Sequence, residues 1–282
     1  MAQQMENTTR IRTRQARRVN AGDVYMFGDS YLSAPRRRHS QWWGYVSEDS
    51  TIDLRPHQTH DQVGVRNTAR VITYARGGLK LADVANGHDR GITDARRRWA
   101  NNVPAVTVLA VGACDMNNAY IANIPLADVR KNYPEYVMGI IEDFIYKARR
   151  ATSNIDNFDA RLANHRFLVC EPANWGVDYE PRADMTPDEY RQRCTRAQCG
   201  LQRNRRRFWE LYSTSVFTCS PRSQELRGWT GNHLDGSSQE TFITELLTAI
   251  RCLLCDTCTP QVEYYKVEHT RHHLAENTCR RN

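Results

Sequence analysis

Short apolar runs followed by glycine-rich or polar turns recur along the first part of the chain. Runs at 22–27, 71–75, 105–111 and 166–170 have the length and the β-branched or aromatic content of strands. The run at 105–111 shows no alternation with polar residues, which is typical of a parallel strand that is covered on both faces. The pattern therefore predicts four strands of a largely parallel sheet.

Segments with helical periodicity separate and follow these strands. In the longest one, apolar residues recur three or four positions apart, so that one face of the helix is apolar. Thr186-Pro187-Asp188-Glu189 has the features of a helix start, with a capping threonine, proline in the first position and acids in the first turn. The predicted helices cover residues 31–48, 79–85, 126–150, 187–218 with breaks, and 238–252.

The alternation of strands and helices predicts an open, mostly parallel α/β sheet with helices on both faces. Because the strands end in glycine or polar turns, we expect those turns to line one edge of the sheet, where α/β proteins form their sites. Residues 51–68 and 221–236 are predicted to be loops. The chain then divides into a basic, disordered arm (1–20), one domain (21–258) and a polar tail (259–282).

Composition places the chain among globular proteins, with 40% hydrophobic and 25% charged residues in a length of 282. No apolar run approaches the roughly 20 residues of a membrane span, and the N-terminal segment lacks the apolar core of a secretory signal. Nine cysteines, an odd number, are therefore predicted to be free thiols in an intracellular, reducing compartment.

The net charge of +7 comes mainly from clustered arginines, some of them in the N-terminal arm. Arginine suits bidentate contacts with phosphate, so a nucleic acid is one partner to consider. The clusters are scattered and lack interleaved aromatic residues. Solvated helix faces are therefore the favoured interpretation.

Four turns carry the residue types of a nucleophilic site. The first strand ends at Gly28-Asp29-Ser30, where a strand and a tight turn would present a hydroxyl group. Gly77-Gly78 follows the second strand, and Gly112-Ala113-Cys114-Asp115 follows the third. The segment Gly231-Asn232-His233-Leu234-Asp235-Gly236 precedes the last helix.

In this order, over residues 22 to 252, the four turns resemble the sequence blocks of the SGNH or GDSL hydrolases, a family of esterases and lipases. The resemblance implies a three-layer α/β/α sandwich with a mostly parallel, flavodoxin-like sheet. It also implies a serine esterase that needs no metal or organic cofactor. The expected substrate is a small-molecule, carbohydrate or lipid ester.

The resemblance assigns roles to individual residues of this chain. Ser30 would be the nucleophile and His233 the base that takes its proton. The oxyanion hole would consist of the Ser30 N–H, the Gly78 N–H and the residue at 114. Asp29 and Asp115 would support the turns rather than take part in the reaction.

Two positions depart from the family pattern. Cys114 stands where the family has an oxyanion asparagine, and a thiol is a weak hydrogen-bond donor. Thr230 stands where the family has the aspartate that orients the histidine. A backbone carbonyl or another acid such as Asp235 would then orient His233, which predicts a serine–histidine dyad.

Two rival interpretations stay open. The departures fit a catalytically weak or inactive domain that serves as a binding module, with nucleic acid as one partner. The C-terminal residues Cys252, Cys255 and Cys258, followed by three histidines, have the residue types of a zinc site. Because Cys252 ends the predicted last helix and Cys255 follows three positions later, a spacing that also suits helical packing, free thiols are favoured over zinc. The three histidines are His269, His272 and His273.

Overall fold

The computed structural model describes residues 22–29, 32, 50–53, 68–86, 90–116, 124–172, 185–217 and 236–255. The basic arm, most of the predicted helix at 31–48, the loop at 221–235 and the polar tail lie outside these residues. The proposed division of the chain into arm, domain and tail therefore stays a prediction.

A six-stranded sheet forms the centre of the fold, in the order β2-β3-β1-β4-β5-β6. The β2 strand pairs antiparallel with β3, and every other neighbouring pair is parallel. Apart from β2, the order β3-β1-β4-β5-β6 is the flavodoxin-like, doubly wound order that was predicted, with β1 between β3 and β4. The strands are β1 (Val24–Gly28), β2 (Ser50–Asp53), β3 (Thr68–Ala75), β4 (Val106–Ala110), β5 (Arg166–Cys170) and β6 (Ser215–Phe217).

Two of these strands correct the sequence prediction. The β2 strand includes part of the segment 51–68 that was predicted to be a loop. It is short, largely polar and paired on one side only, so its sequence lacks the apolar run of a central strand. The β6 strand has three residues and lies where the helix from 187 was expected to continue. Its pairing with β5 replaces the helical hydrogen bonds.

Helices account for most of the remaining described residues. Two helices were not predicted, because the first, α2 (Arg90–Asn101), is rich in arginine and the second, α5 (Ile155–Leu162), is rich in polar residues. The Thr186 Oγ1 accepts a hydrogen bond from the Glu189 N–H at 3.2 Å, which confirms the predicted helix cap. The helices are α1 (Leu81–Asn86), α2 (Arg90–Asn101), α3 (Ala113–Met116), α4 (Val129–Ala151), α5 (Ile155–Leu162), α6 (Pro187–Arg203), α7 (Arg205–Tyr212) and α8 (Gly236–Cys255).

The core lies on both faces of the central strands, because every residue of β1 and β4 is buried. On one face, the rings of Trp99 from α2 and Phe144 from α4 pack edge to face at 5.0 Å. The Trp99 indole N–H donates to the Thr107 Oγ1 of β4 at 2.8 Å. On β4, residues of the opposite face such as Val108 are buried as well, and α8 contacts this strand. The predicted three-layer α/β/α arrangement is therefore confirmed.

Candidate active site

The turns that follow β1, β3 and β4 meet at the carboxyl edge of the sheet. Gly28, the last residue of β1, lies between Ala75 of β3 and Ala110 of β4. The Arg76 N–H donates to the Gly28 carbonyl oxygen at 3.0 Å, and the Asp29 N–H donates to the Ala110 carbonyl oxygen at 3.4 Å. This is the point where the strand order reverses, which is where open α/β sheets bind their ligands.

The turn after β3 presents Gly78 at the surface. The Leu79 N–H donates to the Arg76 carbonyl oxygen at 3.3 Å, and Gly78 in the third position has a φ of +77°. A positive φ there is what a type II turn requires, and glycine adopts it without strain. Gly78 is exposed, and apart from its chain neighbours no described residue has a heavy atom within 4 Å of a Cβ placed on it.

The turn after β4 also depends on a glycine. Gly112 has a φ of +149°, and a Cβ atom on it would lie 2.9 Å from the hydroxyl oxygen of the buried Tyr133. The α3 helix follows directly, and the Met116 N–H donates to the Gly112 carbonyl oxygen at 2.9 Å. Within α3, the side chain of Cys114 is partly exposed and that of Asp115 is buried.

The Asp115 carboxylate connects the turn after β4 to two other elements of the fold. The Leu81 N–H lies 3.2 Å from its Oδ1 and 3.1 Å from its Oδ2, and the Tyr136 hydroxyl donates to Oδ1 at 3.0 Å. Burial raises the pKa of Asp115 to about 6, although the two hydrogen bonds favour the charged form and oppose this shift. Asp115 therefore supports the neighbouring turn as well as its own.

Two further acids are buried at the same edge. Asp29 is fully buried, and so is most of Glu171, which directly follows β5. Burial raises the pKa of the Cys170 thiol well above its ordinary value, and the charges of Asp29 and Glu171 raise it further. Cys170 is therefore a protonated thiol, and it is not an activated nucleophile.

Four of the predicted site residues lie outside the described part of the chain. These residues are Ser30, His233, Thr230 and Asp235. The structure does bring Asp29, Gly78, Cys114 and Asp115 to one edge of the sheet. The partners of Asp115, which are Tyr136 and the Leu81 N–H, were not predicted. Tyr136 is one of several tyrosines with no distinguishing motif, and a backbone N–H leaves no trace in a sequence.

The cysteines only partly follow the prediction of free thiols. Cys114, Cys170 and Cys194 are thiols that form no disulfide bond, whereas Cys199 of α6 is disulfide-bonded. Spacing along α6 did not predict this, since a disulfide depends on residues that meet through the fold. Within the described ranges, no cluster of three or more histidine, cysteine or acidic residues is arranged to hold a metal ion. The histidines of the proposed zinc site lie in the tail, outside those ranges.

Three arginines of the described clusters form ion pairs within the chain. Arg98 pairs with Asp94 at 2.8 Å, Arg206 pairs with Glu210 at 2.7 Å, and Arg207 pairs with Glu135. These pairs support the interpretation as solvated helix faces and give the nucleic-acid alternative no support. Among the described helices, none is both long enough and apolar enough to cross a bilayer.

A cleft of about 400 Å³ lies at the opposite, amino edge of the sheet, beside Asp23, Asn102, Arg161 and Asn164. Each of these side chains already has a partner within the protein. Arg70 pairs with Asp23 at 2.6 Å, Arg161 donates to Asn102, and Asn164 donates to a backbone carbonyl. The charged and amide side chains that are described at this cleft are therefore bonded within the protein.

Comparisons with known proteins reveal likeness in structure only. No protein-family model matches the sequence, and no curated protein matches it. The aryl esterase of M. smegmatis is similar with a TM-score of 0.49 and 14% identity, covering 83% of this chain and 100% of that chain. Phospholipase A1 from Streptomyces albidoflavus NA297 has a TM-score of 0.45 and 13% identity, covering 81% of this chain and 99% of that chain. The extracellular lipase of Streptomyces rimosus has a TM-score of 0.44 and 14% identity, covering 81% of this chain and 99% of that chain.

Proposed function

We propose that this protein is a serine hydrolase of the SGNH/GDSL type, which cleaves an ester through an acyl-Ser30 intermediate. The observation that supports this is the hydrogen bonding between the three turns at the carboxyl edge. The Arg76 N–H is bonded to Gly28, and the Leu81 N–H is bonded to Asp115. Ser30 follows Asp29 directly in the chain, so the proposed nucleophile belongs to the first of these turns.

In the first half of the reaction, the Ser30 Oγ attacks the ester carbonyl carbon while His233 takes the hydroxyl proton. The carbonyl π electrons move to the oxygen, and this oxyanion accepts hydrogen bonds from the N–H groups of Ser30 and Gly78. Donors that are already in place at the developing charge are worth about 3–4 kcal/mol each. Cys114 adds little as a weak donor, so the two backbone groups carry the stabilisation.

In the second half, the tetrahedral intermediate collapses and the alcohol leaves with the proton that His233 held. Water then attacks the acyl-serine while His233 takes a proton from it, and His233 returns that proton to the Ser30 Oγ as the carboxylic acid leaves. Because Thr230 cannot balance the charge of an imidazolium ion, the second ring nitrogen of His233 would donate to Asp235 or to a backbone carbonyl. We expect this dyad to turn over more slowly than a full triad.

The experiment is active-site labelling combined with ester hydrolysis. A fluorophosphonate probe should label Ser30, as mapped by peptide mass spectrometry, and purified protein should hydrolyse p-nitrophenyl acetate. Ser30→Ala should abolish the labelling and lower kcat by at least about 10³-fold. Ser153→Ala, at an exposed serine between α4 and α5, is the matched control and should change neither. Undiminished hydrolysis by Ser30→Ala would exclude the proposal.

A further inference from the structure

The Asp115 carboxylate joins three elements that are distant in sequence. Asp115 belongs to α3, which follows β4. It accepts a hydrogen bond from the N–H of Leu81, the first residue of α1, which lies 34 residues earlier in the chain. The Tyr136 hydroxyl that completes the contact comes from α4. The carboxylate therefore fixes the start of α1 against the β4 turn and the long helix.

We propose that Asp115 is a positioning residue for the oxyanion hole, which acts by fixing the turn that presents the Gly78 N–H. This inference rests on the proposed function, because the catalytic part of Gly78 belongs to that proposal. Asp115 does not touch the substrate in this scheme. Its effect passes through the Leu81 N–H to a backbone segment three residues away.

The turn is hydrogen-bonded on both sides of Gly78 but not at Gly78 itself. On one side, Arg76 is bonded to Gly28 of β1. On the other side, Leu81 is bonded to Asp115. Gly78 has no side chain, and apart from its chain neighbours no described residue has an atom within 4 Å of where its Cβ would be, so the described part of the chain supplies no packing that steadies it.

Buried side chains locate the segment but do not orient its peptide planes. Leu79 and Leu81 are fully buried and anchor the segment in the core. The direction of a backbone N–H depends on φ and ψ, which hydrogen bonds at the two sides of the turn restrict. If the Asp115 carboxylate is removed, the buried Leu81 N–H loses its acceptor, which costs free energy. The backbone of the turn would then rearrange so that this N–H reaches another acceptor.

The chain offers a matched control for the loss of a buried hydrogen bond. In Thr107→Val the Trp99 indole N–H loses its acceptor, while the volume of the side chain is nearly kept. Thr107 lies on the same strand that leads to Asp115, yet its partner is on α2 and not on a turn of the site. A general loss of stability would affect both variants, whereas a loss of turn geometry would affect only the variants at 115.

Kinetics supply the first test. Asp115→Ala should lower kcat about 10- to 100-fold, less than the 10²–10³-fold expected for removing an oxyanion donor outright. KM should change by less than about threefold, because the transition state is affected and the bound ester is not. Asp115→Asn keeps an acceptor oxygen for the Leu81 N–H and should recover most of the lost kcat. Thr107→Val should keep the kcat of the wild type.

Hydrogen exchange supplies a second test that does not depend on activity. Amide exchange over residues 76–85 should be at least about tenfold faster in Asp115→Ala than in the wild type, and unchanged in Thr107→Val. An Asp115→Ala protein with normal kcat and normal exchange would overturn the inference while leaving the proposed function intact. If the wild type lacks esterase activity, the proposed function fails together with the catalytic consequence. Exchange then still decides whether Asp115 positions the turn.

Discussion

Two buried titratable side chains lie at opposite edges of the sheet and are held in different ways. At the carboxyl edge, Asp115 receives hydrogen bonds from the Leu81 N–H and the Tyr136 hydroxyl. At the amino edge, the His165 Nδ1 lies 2.8 Å from the Pro104 carbonyl oxygen. The His165 ring meets aromatic rings edge-on, at 5.3 Å from Trp99 and 4.6 Å from Phe167.

Burial favours the neutral form of both groups, and this moves their pKa values in opposite directions. It raises the pKa of Asp115 to about 6 and lowers the pKa of His165 to about 3. His165 is therefore neutral at physiological pH and serves the scaffold alone. Asp115 is near its titration point, and its bonds connect two turns of the proposed site. The buried His165 thus contacts only groups of the core, whereas the buried Asp115 connects turns of the proposed site.

The largest expected effect tests the amino edge through the stability at low pH. Between pH 6.5 and about 3, His165 is protonated in the unfolded chain but stays neutral in the folded one. The free energy of unfolding therefore falls as the pH falls. At about 1.4 kcal/mol per pKa unit, the loss amounts to at most about 5 kcal/mol. His165→Gln, which keeps an N–H for the Pro104 carbonyl, should remove this dependence. Urea unfolding at pH 7, 5.5 and 4 measures it, and an unchanged dependence would contradict the assignment.

The second prediction is a dependence of opposite sign at the carboxyl edge. The folded-state pKa of Asp115 is raised, so its contribution to stability is fully present below about pH 3.8 and is lost as the pH rises through about 6. The difference is about 3 kcal/mol by the same conversion. The wild type should therefore lose stability between pH 4 and pH 7, whereas Asp115→Asn should not show this loss. The same urea series measures this, and equal slopes in both proteins would break the contrast between the two edges.

The smallest effect concerns two neighbouring glycines of the β3 turn. Gly78→Ala should cost about 1–2 kcal/mol, because an L-residue is strained at a positive φ. It should also lower kcat, since relief of the strain rotates the peptide that carries the proposed donor. Gly77 is equally exposed but has no positive φ, so Gly77→Ala should leave both quantities nearly unchanged. Thermal unfolding and kcat of the two variants sharpen the comparison, and equal losses in both would refute it.

The sequence predicted those parts of the fold whose sequence pattern matches their environment. The run at 105–111 is apolar except for Thr107 and shows no alternation because β4 is covered on both faces, and the prediction agrees with Val106–Ala110 to within a residue. The β2 strand was missed because its edge position requires few apolar residues. The α2 helix was missed because three consecutive arginines obscure a face that buries Trp99.

The sequence predicted which turn residues share an edge of the sheet, and it did not predict the bonds between them. Asp29, Gly78, Cys114 and Asp115 lie at one edge because parallel strands bring their carboxyl ends together, whereas their part in an active site stays a prediction. The bond between Asp115 and Leu81 joins residues 34 apart through a backbone group, and no spacing rule encodes it. His165 escaped notice because a lone histidine before a strand has no pattern that reveals its aromatic surroundings.

The position of β1 inside the sheet has a consequence for synthesis on the ribosome. This apolar strand is made before both of its neighbours, β3 and β4, and β4 ends about 80 residues later. At the usual 5–20 residues per second, at least one edge of β1 waits for about 4–16 s before its partner exists. Until then the nascent chain carries an unpaired apolar strand, which is the kind of segment that chaperones bind and that promotes aggregation when protein is made too fast. Slower expression at lower temperature should therefore increase the soluble yield of this protein.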